Sequence, residues 1–407
     1  MDQLHEALPS ECNLGQYIRE DRCFCTQFPL EALTDLEDIL VRIAKDKKWK
    51  ENIPHEWVFL NDEISNTKRE QRIMSVNDIL EGMPVNNSSR VHAANDMLRY
   101  YHDAGKVLFF NEAELNKYAI IDVQWFVDAF KTIITDEKHV QGVIASGKDW
   151  QEYYSTGHIQ DSLLTEIWRK EDENLLTSLK EENISVNDEL DKDARFLLYH
   201  KQTLLMYMQR LGLMSIGETS HYIPCMNKKN FGEEQKHVII TSSSKSSILV
   251  FSFDFLPYFL FYRLVVKIME IKHWRALKSN NISCLYKDAA MFTYKNHNIA
   301  VAVTDTTIQL QIFHPEQGIE MSKNVTLSVR SCIENIMKDI SSTFHKNLAY
   351  RIGYTCDNER EQILGMKVTE SFIEEKDLPV GDRITCPQHQ VENLHHINPD
   401  YISSFWR

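Results

Sequence analysis

A chain of 407 residues is long enough for two or three domains, and 43% hydrophobic with 26% charged residues is ordinary for a globular protein. A formal net charge of -14 argues against a general nucleic-acid or anionic-membrane surface, because both need a basic field. Eight cysteines, at Cys12, Cys23, Cys25, Cys225, Cys284, Cys332, Cys356 and Cys386, are too sparse for a disulfide scaffold. They fit reduced thiols and point to a cytoplasmic protein.

Met1–Glu20 is polar and acidic, so no signal peptide is read there. The most apolar stretch, Ile248–Val266, contains Asp254, Pro257 and Arg263. Each central charge would cost about 3 kcal/mol to insert in a bilayer, so a buried strand followed by a buried helix fits better.

In chain order, the first predicted element is an amphipathic helix entered at Pro29, with Leu33, Leu36, Ile39, Leu40 and Ile43 as its stripe. Trp49–Trp57 is an aromatic connector broken by Pro54, and Trp57, Phe59 and Leu60 begin another element. Ser75-Val-Asn-Asp78 has the form of a helix start, and 83–90 of a linker.

Residues 97–134 read as the folding centre. Met97, Leu98 and Tyr101 make a helical stripe that stops at Gly105. Lys106–Phe110 and Tyr118–Ile121 read as strands, being β-branched and aromatic. Asp122 is placed to cap a helix carrying Trp125, Phe126, Ala129, Phe130 and Ile133 on one side. His139–Gly147 reads as a loop, Gly157–Ile159 as a turn and strand, and Leu163–Arg169 as a short helix anchored by Ile167 and Trp168.

Lys170–Asp193 holds nine acidic and three basic residues and is expected to be an exposed insertion. Ala194–Leu211 is expected to form one helix ended by Gly212, and His221–Pro224 a strand that closes the unit.

Asn230–Ser247 reads as a polar linker with a short strand at His237–Ile240. A strand at Ser247–Phe253 and a helix from Pro257 to about Ile271 follow, the helix turning Phe261, Leu264, Val265 and Ile268 inward. Three strands are expected at 283–294, 298–304 and 307–313, with a tight turn at Asp305-Thr306. A helix over 322–346 places Val329, Ile333, Ile336, Ile340 and Phe344 on one face, and the remainder to Arg407 reads as a polar, irregular tail. The fold class expected is α+β: a winged-helix-like helical first half, then a helix-covered antiparallel sheet. The expected divisions are 1–60, 61–232, 233–350 and 351–407.

No motif supports an active site. Gly142–Gly147-Lys148 has phosphate-loop spacing, but Asp149 stands where a magnesium-holding hydroxyl is needed. Asn227-Lys-Lys-Asn230 lacks the carboxylate that reads guanine. Cys356, Cys386, His389, His395 and His396 contain one Cys-x-x-His pair, but zinc sites usually come as two tight pairs. Trp125 and Trp168 read as core anchors. No Ser-His-Asp or Cys-His set emerges from spacing. No catalytic, cofactor-binding or metal residues are therefore assigned, and no cofactor is expected.

The order of these features resembles the COR region of Roco proteins, the segment C-terminal of the Roc GTPase. Trp49–Leu60 (WKENIPHEWVFL) resembles the hinge between Roc and COR. Met97–Phe110 (MLRYYHDAGKVLFF) is similar to the family's helix, Leu-His-Gly and strand. Tyr118–Phe126 (YAIIDVQWF) resembles its strand followed by Pro-Trp-Leu, with Gln124 where proline is usual. Gly157–Trp168, Phe196–Met214, Tyr222–Pro224 and Phe253–Arg263 continue the likeness in order, over about residues 30–350.

The resemblance implies a winged-helix-like first half and a second half that mediates dimerisation. Leu30–Lys48 resembles only the last helix of a Roc domain, and the phosphate loop, switches and guanine-reading loop are not seen. The implied protein is a non-catalytic dimerisation and scaffolding module of Roco-type signalling, a homodimer or the partner of a Roco-family protein, with no nucleic acid, membrane span or bound nucleotide. Two alternatives are a degenerate or partner-dependent GTPase, and a winged-helix nucleic-acid binder. The second is opposed by the charge. Within the second half, the helix 257–271 and the hairpin 298–313 are the expected interface.

Overall fold

The computed structural model describes residues 41–42, 45, 53–68, 71–82, 90–135, 147–181, 195–242, 244–279, 282–314, 316, 319, 321–344, 349–356, 364, 372–378, 384–385 and 396–407. The chain forms two compact units, Met1–Ser65 and Asn66–Arg407. The first contains most of helix α1 (His55–Thr67), which starts where Pro54 accepts the Trp57 N–H at 3.0 Å. The helix expected after Pro29 lies mostly outside the described residues.

The second unit opens with strand β1 (Ile73–Ser75) and helix α2 (Val76–Gly82), where the Ser75 hydroxyl accepts the Asp78 N–H at 3.1 Å. Helix α3 (Arg90–Asp103) buries Ala94, Met97, Leu98 and Tyr101 and is followed by Gly105 at φ 70°. Lys106–Phe110 makes one bridge, Leu108 to Ile120, rather than a full strand, because Val107, Phe109 and Phe110 all turn into the core. Strand β2 (Tyr118–Ile120) pairs antiparallel with β1, which the sequence reading missed.

Helix α4 (Val123–Ile133) is capped as expected, the Asp122 carboxylate accepting the Trp125 N–H at 3.3 Å. Asp122 also meets Arg72 at 3.1 Å and Lys68 at 3.2 Å. Helix α5 (Lys148–Thr156) ends at Gly157, φ 74°, where a Cβ would stand 2.6 Å from the Ile223 carbonyl oxygen. Only glycine lets that turn approach the backbone beside it.

Strands β3 (His158–Gln160) and β4 (Ser220–Tyr222) then pair antiparallel.

Three expectations are corrected here. The short helix at Leu163 is helix α6, Asp161–Glu181, which runs well into the acidic stretch. Asp172 within that stretch is 1% exposed, accepting the N–H groups of Leu197 at 2.7 Å and Leu198 at 3.0 Å. With those groups engaged, 195–200 forms turns, and helix α7 spans only Lys201–Arg210. The charge count missed one acidic side chain that faces inward. Trp168 is fully buried, its indole N–H donating to Thr132 Oγ1 at 3.1 Å.

In the second half, His237–Ile240 belongs to helix α8 (Glu233–Ile240), not a strand, since Gln235 accepts the Gly232 N–H at 3.1 Å and starts a helical turn. Strand β5 (Leu249–Ser252) leads to helix α9 (Phe259–Met269). Short strands β6 (Arg275–Ala276), β7 (Lys278–Ser279) and β8 (Ile282–Ser283) precede the long strands β9 (Ala289–Tyr294), β10 (His297–Val303) and β11 (Thr307–Phe313). Helix α10 (Lys323–Phe344) and strand β12 (Arg351–Tyr354) follow, then β13 (Ile373–Glu374), β14 (Ile384–Thr385), β15 (His396–Ile397) and helix α11 (Pro399–Ser404).

Among the described residues the main sheet has seven strands in the order β13-β12-β5-β11-β10-β9-β6, every pairing antiparallel. The register sets Ile299 opposite Ile312, Val301 opposite Leu310 and Val303 opposite Ile308. These side chains share one face and pack with Leu260, Leu264, Ile268, Val329, Ile333 and Ile340 of α9 and α10. The intervening residues, among them Val250, Met291, Ala300 and Ala302, pack on the other face with Phe231, Ile239 and Leu364. The α+β class and the helix-covered antiparallel sheet are thus observed. Ile248–Val266 is a strand and helix of this core, and no helix among the described residues is long and apolar enough to cross a membrane.

The tail expected to be irregular instead adds β12 to the sheet beside β5 and sends Trp406, 1% exposed, into the core. Strands of two to four residues carry too little periodicity to be read from sequence.

Candidate interaction surface

The start of α9 presents aromatic side chains outward. Strand β5 directs Phe251 inward, and Phe253 beyond it is also buried. The chain then turns at Asp254, and Phe255 emerges 78% exposed. Leu256 returns to the core, and Pro257 starts the helix by accepting the Leu260 N–H at 2.9 Å. Phe261, Leu264, Val265 and Ile268 occupy the buried side as expected, and Leu260 joins them. The helical period then leaves Tyr258 and Phe259 outside, at 43% and 42% exposed.

These exposed rings are held in place. Tyr258 donates its hydroxyl to the Lys287 carbonyl at 3.1 Å and meets the Tyr262 ring edge-on at 5.3 Å. Burial, then the charges of Asp288 and Asp305, raise the Tyr258 phenol. The tip of the β10–β11 hairpin lies beside the chain that leads into the patch, since the Phe253 N–H donates to the Thr306 carbonyl at 2.9 Å. The Arg263 guanidinium lies 5.0 Å over the Phe259 ring and is pushed down to about 10 by burial. Its side chain also fills the space a Cβ on Gly212 would need, 2.7 Å from Arg263 Cγ. The patch is therefore braced against the first half through Arg263.

The other expected interface element is corrected. Every residue of β10 and β11 is buried, because the strands are central and both sheet faces are covered. Only the Asp305-Thr306 tip is exposed.

The remaining candidates separate clearly. Gly147 precedes α5, and 142–146 lie outside the described residues. Asn227 is structural: its amide donates to Tyr222 at 3.1 Å and to the Leu285 carbonyl at 3.0 Å. Cys356 is fully buried and His396 exposed, while Cys386, His389 and His395 lie outside the described residues. Among the described residues no three His, Cys, Asp or Glu side chains converge as a metal site would require. Trp125 packs at the edge of the first-half core and Trp168 inside it, as anchors.

His221, Asp161 and Lys201 form a cluster the sequence did not show. His221 Nε2 stands 3.0 Å and Lys201 Nζ 2.7 Å from Asp161, while His221 Nδ1 accepts the Gly217 N–H at 3.4 Å. With both ring nitrogens bonded, the cluster fastens β4 to the start of α6. The exposure of Phe255 was equally hidden, since strand alternation alone would place it with Phe251 and Phe253.

Residues 54–197 match the family model described as C-terminal of Roc, COR-A domain. Among solved structures, the chain is similar to the Roco2 RocCORdC of Methanosarcina barkeri bound to GDP. That likeness has 12% identity and a TM-score of 0.31, and covers 48% of this chain and 50% of that one. The chain thus spans half the length of that solved structure. No curated protein matches. The first half of the unit extends past the matched region, as Leu204, Leu205 and Met208 of α7 and Ile223 just after β4 complete its core. The chain carries a COR-A domain, the domain C-terminal of Roc, over residues 54–197.

Proposed function

We propose that the protein is a non-catalytic COR-type interaction module of the cytoplasm that pairs with a second copy of itself in Roco-type signalling. The observation that carries this reading is the exposed aromatic patch of Phe255, Tyr258 and Phe259, in which Tyr262 and Lys287 hold Tyr258 and Arg263 covers Phe259. Aromatic and arginine side chains dominate the energy of interface centres, and rings fixed before contact lose little entropy on binding. Burying one exposed phenylalanine fully contributes about 1.5–3 kcal/mol. A two-fold contact uses the patch from both copies. A stable interface needs about 800 Å² per partner, so the patch is its centre and the Asp305 tip its margin.

The β3–β4 ladder beside α6 and α7 supports the winged-helix-like reading of the first half. The test is the mass of the full chain by light scattering across micromolar concentrations. Twice the chain mass supports pairing. A monomer that gains mass only when a Roco-type protein is added assigns the patch to that partner instead. A monomer under both conditions removes the proposal.

A further inference from the structure

The two halves of the second unit meet at a cavity of about 310 Å³. Its first-half wall includes His158 and Gln160 of β3 and Ser220 of β4, and its second-half wall includes Lys278 of β7 and Ser283 of β8. Lys229, on the segment that joins the halves, also lines it. In a chain of net charge -14, this is a local reversal: two lysines stand against one carboxylate, Glu152. Among the described residues neither Lys229 nor Lys278 forms an ion pair, so neither charge is neutralised by a neighbouring carboxylate.

Lys229 is already positioned. Its ammonium donates to the Ser283 carbonyl at 3.1 Å and lies 4.8 Å over the Tyr286 ring. An ammonium carries three donors, so directions remain for a ligand. Burial, and then the charges of Lys229 and Lys278, push the His158 imidazole down to about 4, so both lysine charges act on the same small region. His158 Nε2 is buried without a hydrogen-bond partner.

We propose that this cavity binds a small phosphate-type oxyanion, with Lys229 and Lys278 supplying charge and Ser220, Ser283 and Gln160 supplying donors. Lysine binds phosphate as a point charge, and donors from several directions suit a tetrahedral anion better than a planar carboxylate. The volume lies at the small end of ligand sites. Because the lining comes from both halves, an occupant links β7–β8 to β3–β4 and stabilises the joint by mass action. The inference stands independently of whether the aromatic patch pairs two copies.

The test is calorimetric titration of the full chain with inorganic phosphate and with pyrophosphate, at constant ionic strength, with acetate as comparator. Saturable binding of a phosphate probe is expected, with acetate weaker. The exposed Lys278→Met substitution weakens it roughly tenfold, as loss of one charge-assisted hydrogen bond does, while melting in phosphate-free buffer stays unchanged. Glu152→Gln removes the opposing charge and tightens binding, an effect that damage to the fold cannot produce. No saturable heat, equal affinity for acetate, or equal affinity of Lys278→Met and the parent overturns the site.

Discussion

Trp406 donates its indole N–H to both the carbonyl and hydroxyl oxygens of Ser247 at 3.1 Å, joining positions 159 residues apart. Ser247 in turn donates its hydroxyl to the Ile402 carbonyl at 2.6 Å. Nearby, Arg330 donates to the Trp406 carbonyl at 2.8 Å and pairs with Glu375 at 2.7 Å. The last helix is thereby a structural wedge against β5 and α10. Trp406→Ala should destabilise the chain by about 3–5 kcal/mol, the cost of emptying a large buried site. Trp406→Phe keeps most of the volume, loses the N–H and should cost about 1–3 kcal/mol. Urea unfolding measures both. A Trp406→Ala midpoint equal to the parent's would show that the wedge contributes nothing.

Gly105 and Gly212 share φ 70°, but only Gly212 is crowded, 2.7 Å separating its ideal Cβ from Arg263 Cγ. Gly105→Ala incurs the left-handed strain alone, about 1–2 kcal/mol. Gly212→Ala adds overpacking and should cost about 1–3 kcal/mol more. It should also shift Arg263 relative to Phe259, a change visible in aromatic side-chain NMR. Equal costs at both positions would contradict the bracing role of Arg263.

Two carboxylates, buried Asp172 and half-buried Glu375, should give opposite pH responses. Burial, opposed by the Leu198 and Leu197 N–H bonds, pushes Asp172 up to about 6 from an ordinary 3.8. Its contribution to stability is present below 3.8 and lost as pH rises through about 6. Burial would raise Glu375 too, but hydrogen bonds from Arg330 and Tyr354 and the Arg330 charge bring it down to about 2 from 4.5. That contribution is present above 4.5 and lost as pH falls towards 2. Asp172→Asn should therefore flatten the stability profile between about pH 4 and 6, and Glu375→Gln below 4.5. Unfolding midpoints measured across this range decide it; a profile unchanged by either substitution counts against that residue's assignment.

How much was legible follows from the length and environment of each element. The cap at Asp122, the stop at Gly105 and the paired apolar rows of β10 and β11 were readable, because each rests on local chemistry or on seven residues of alternation. Asp172 was misread because its partners, Leu197 and Leu198, are distant in sequence and take up a carboxylate that composition assigns to solvent. Ile73–Ser75 and Arg351–Tyr354 were missed because three or four residues show no period, and their strand character comes from the partner β2 or β5. The interface helix was readable as amphipathic. That Phe255 faces outward while Phe253 is buried depends on the turn at Asp254, which no periodicity encodes.

Phe255 carries the central claim, since it is the most exposed ring of the patch and contacts little that a substitution would disturb. Sedimentation equilibrium of the full chain and of Phe255→Asp, at matched micromolar concentrations, tests it most directly. The account predicts a dimer for the parent and at least tenfold weaker association for Phe255→Asp, with unchanged thermal unfolding of the monomer. A parent that stays monomeric without an added partner, or a Phe255→Asp chain that dimerises as tightly as the parent, would contradict it.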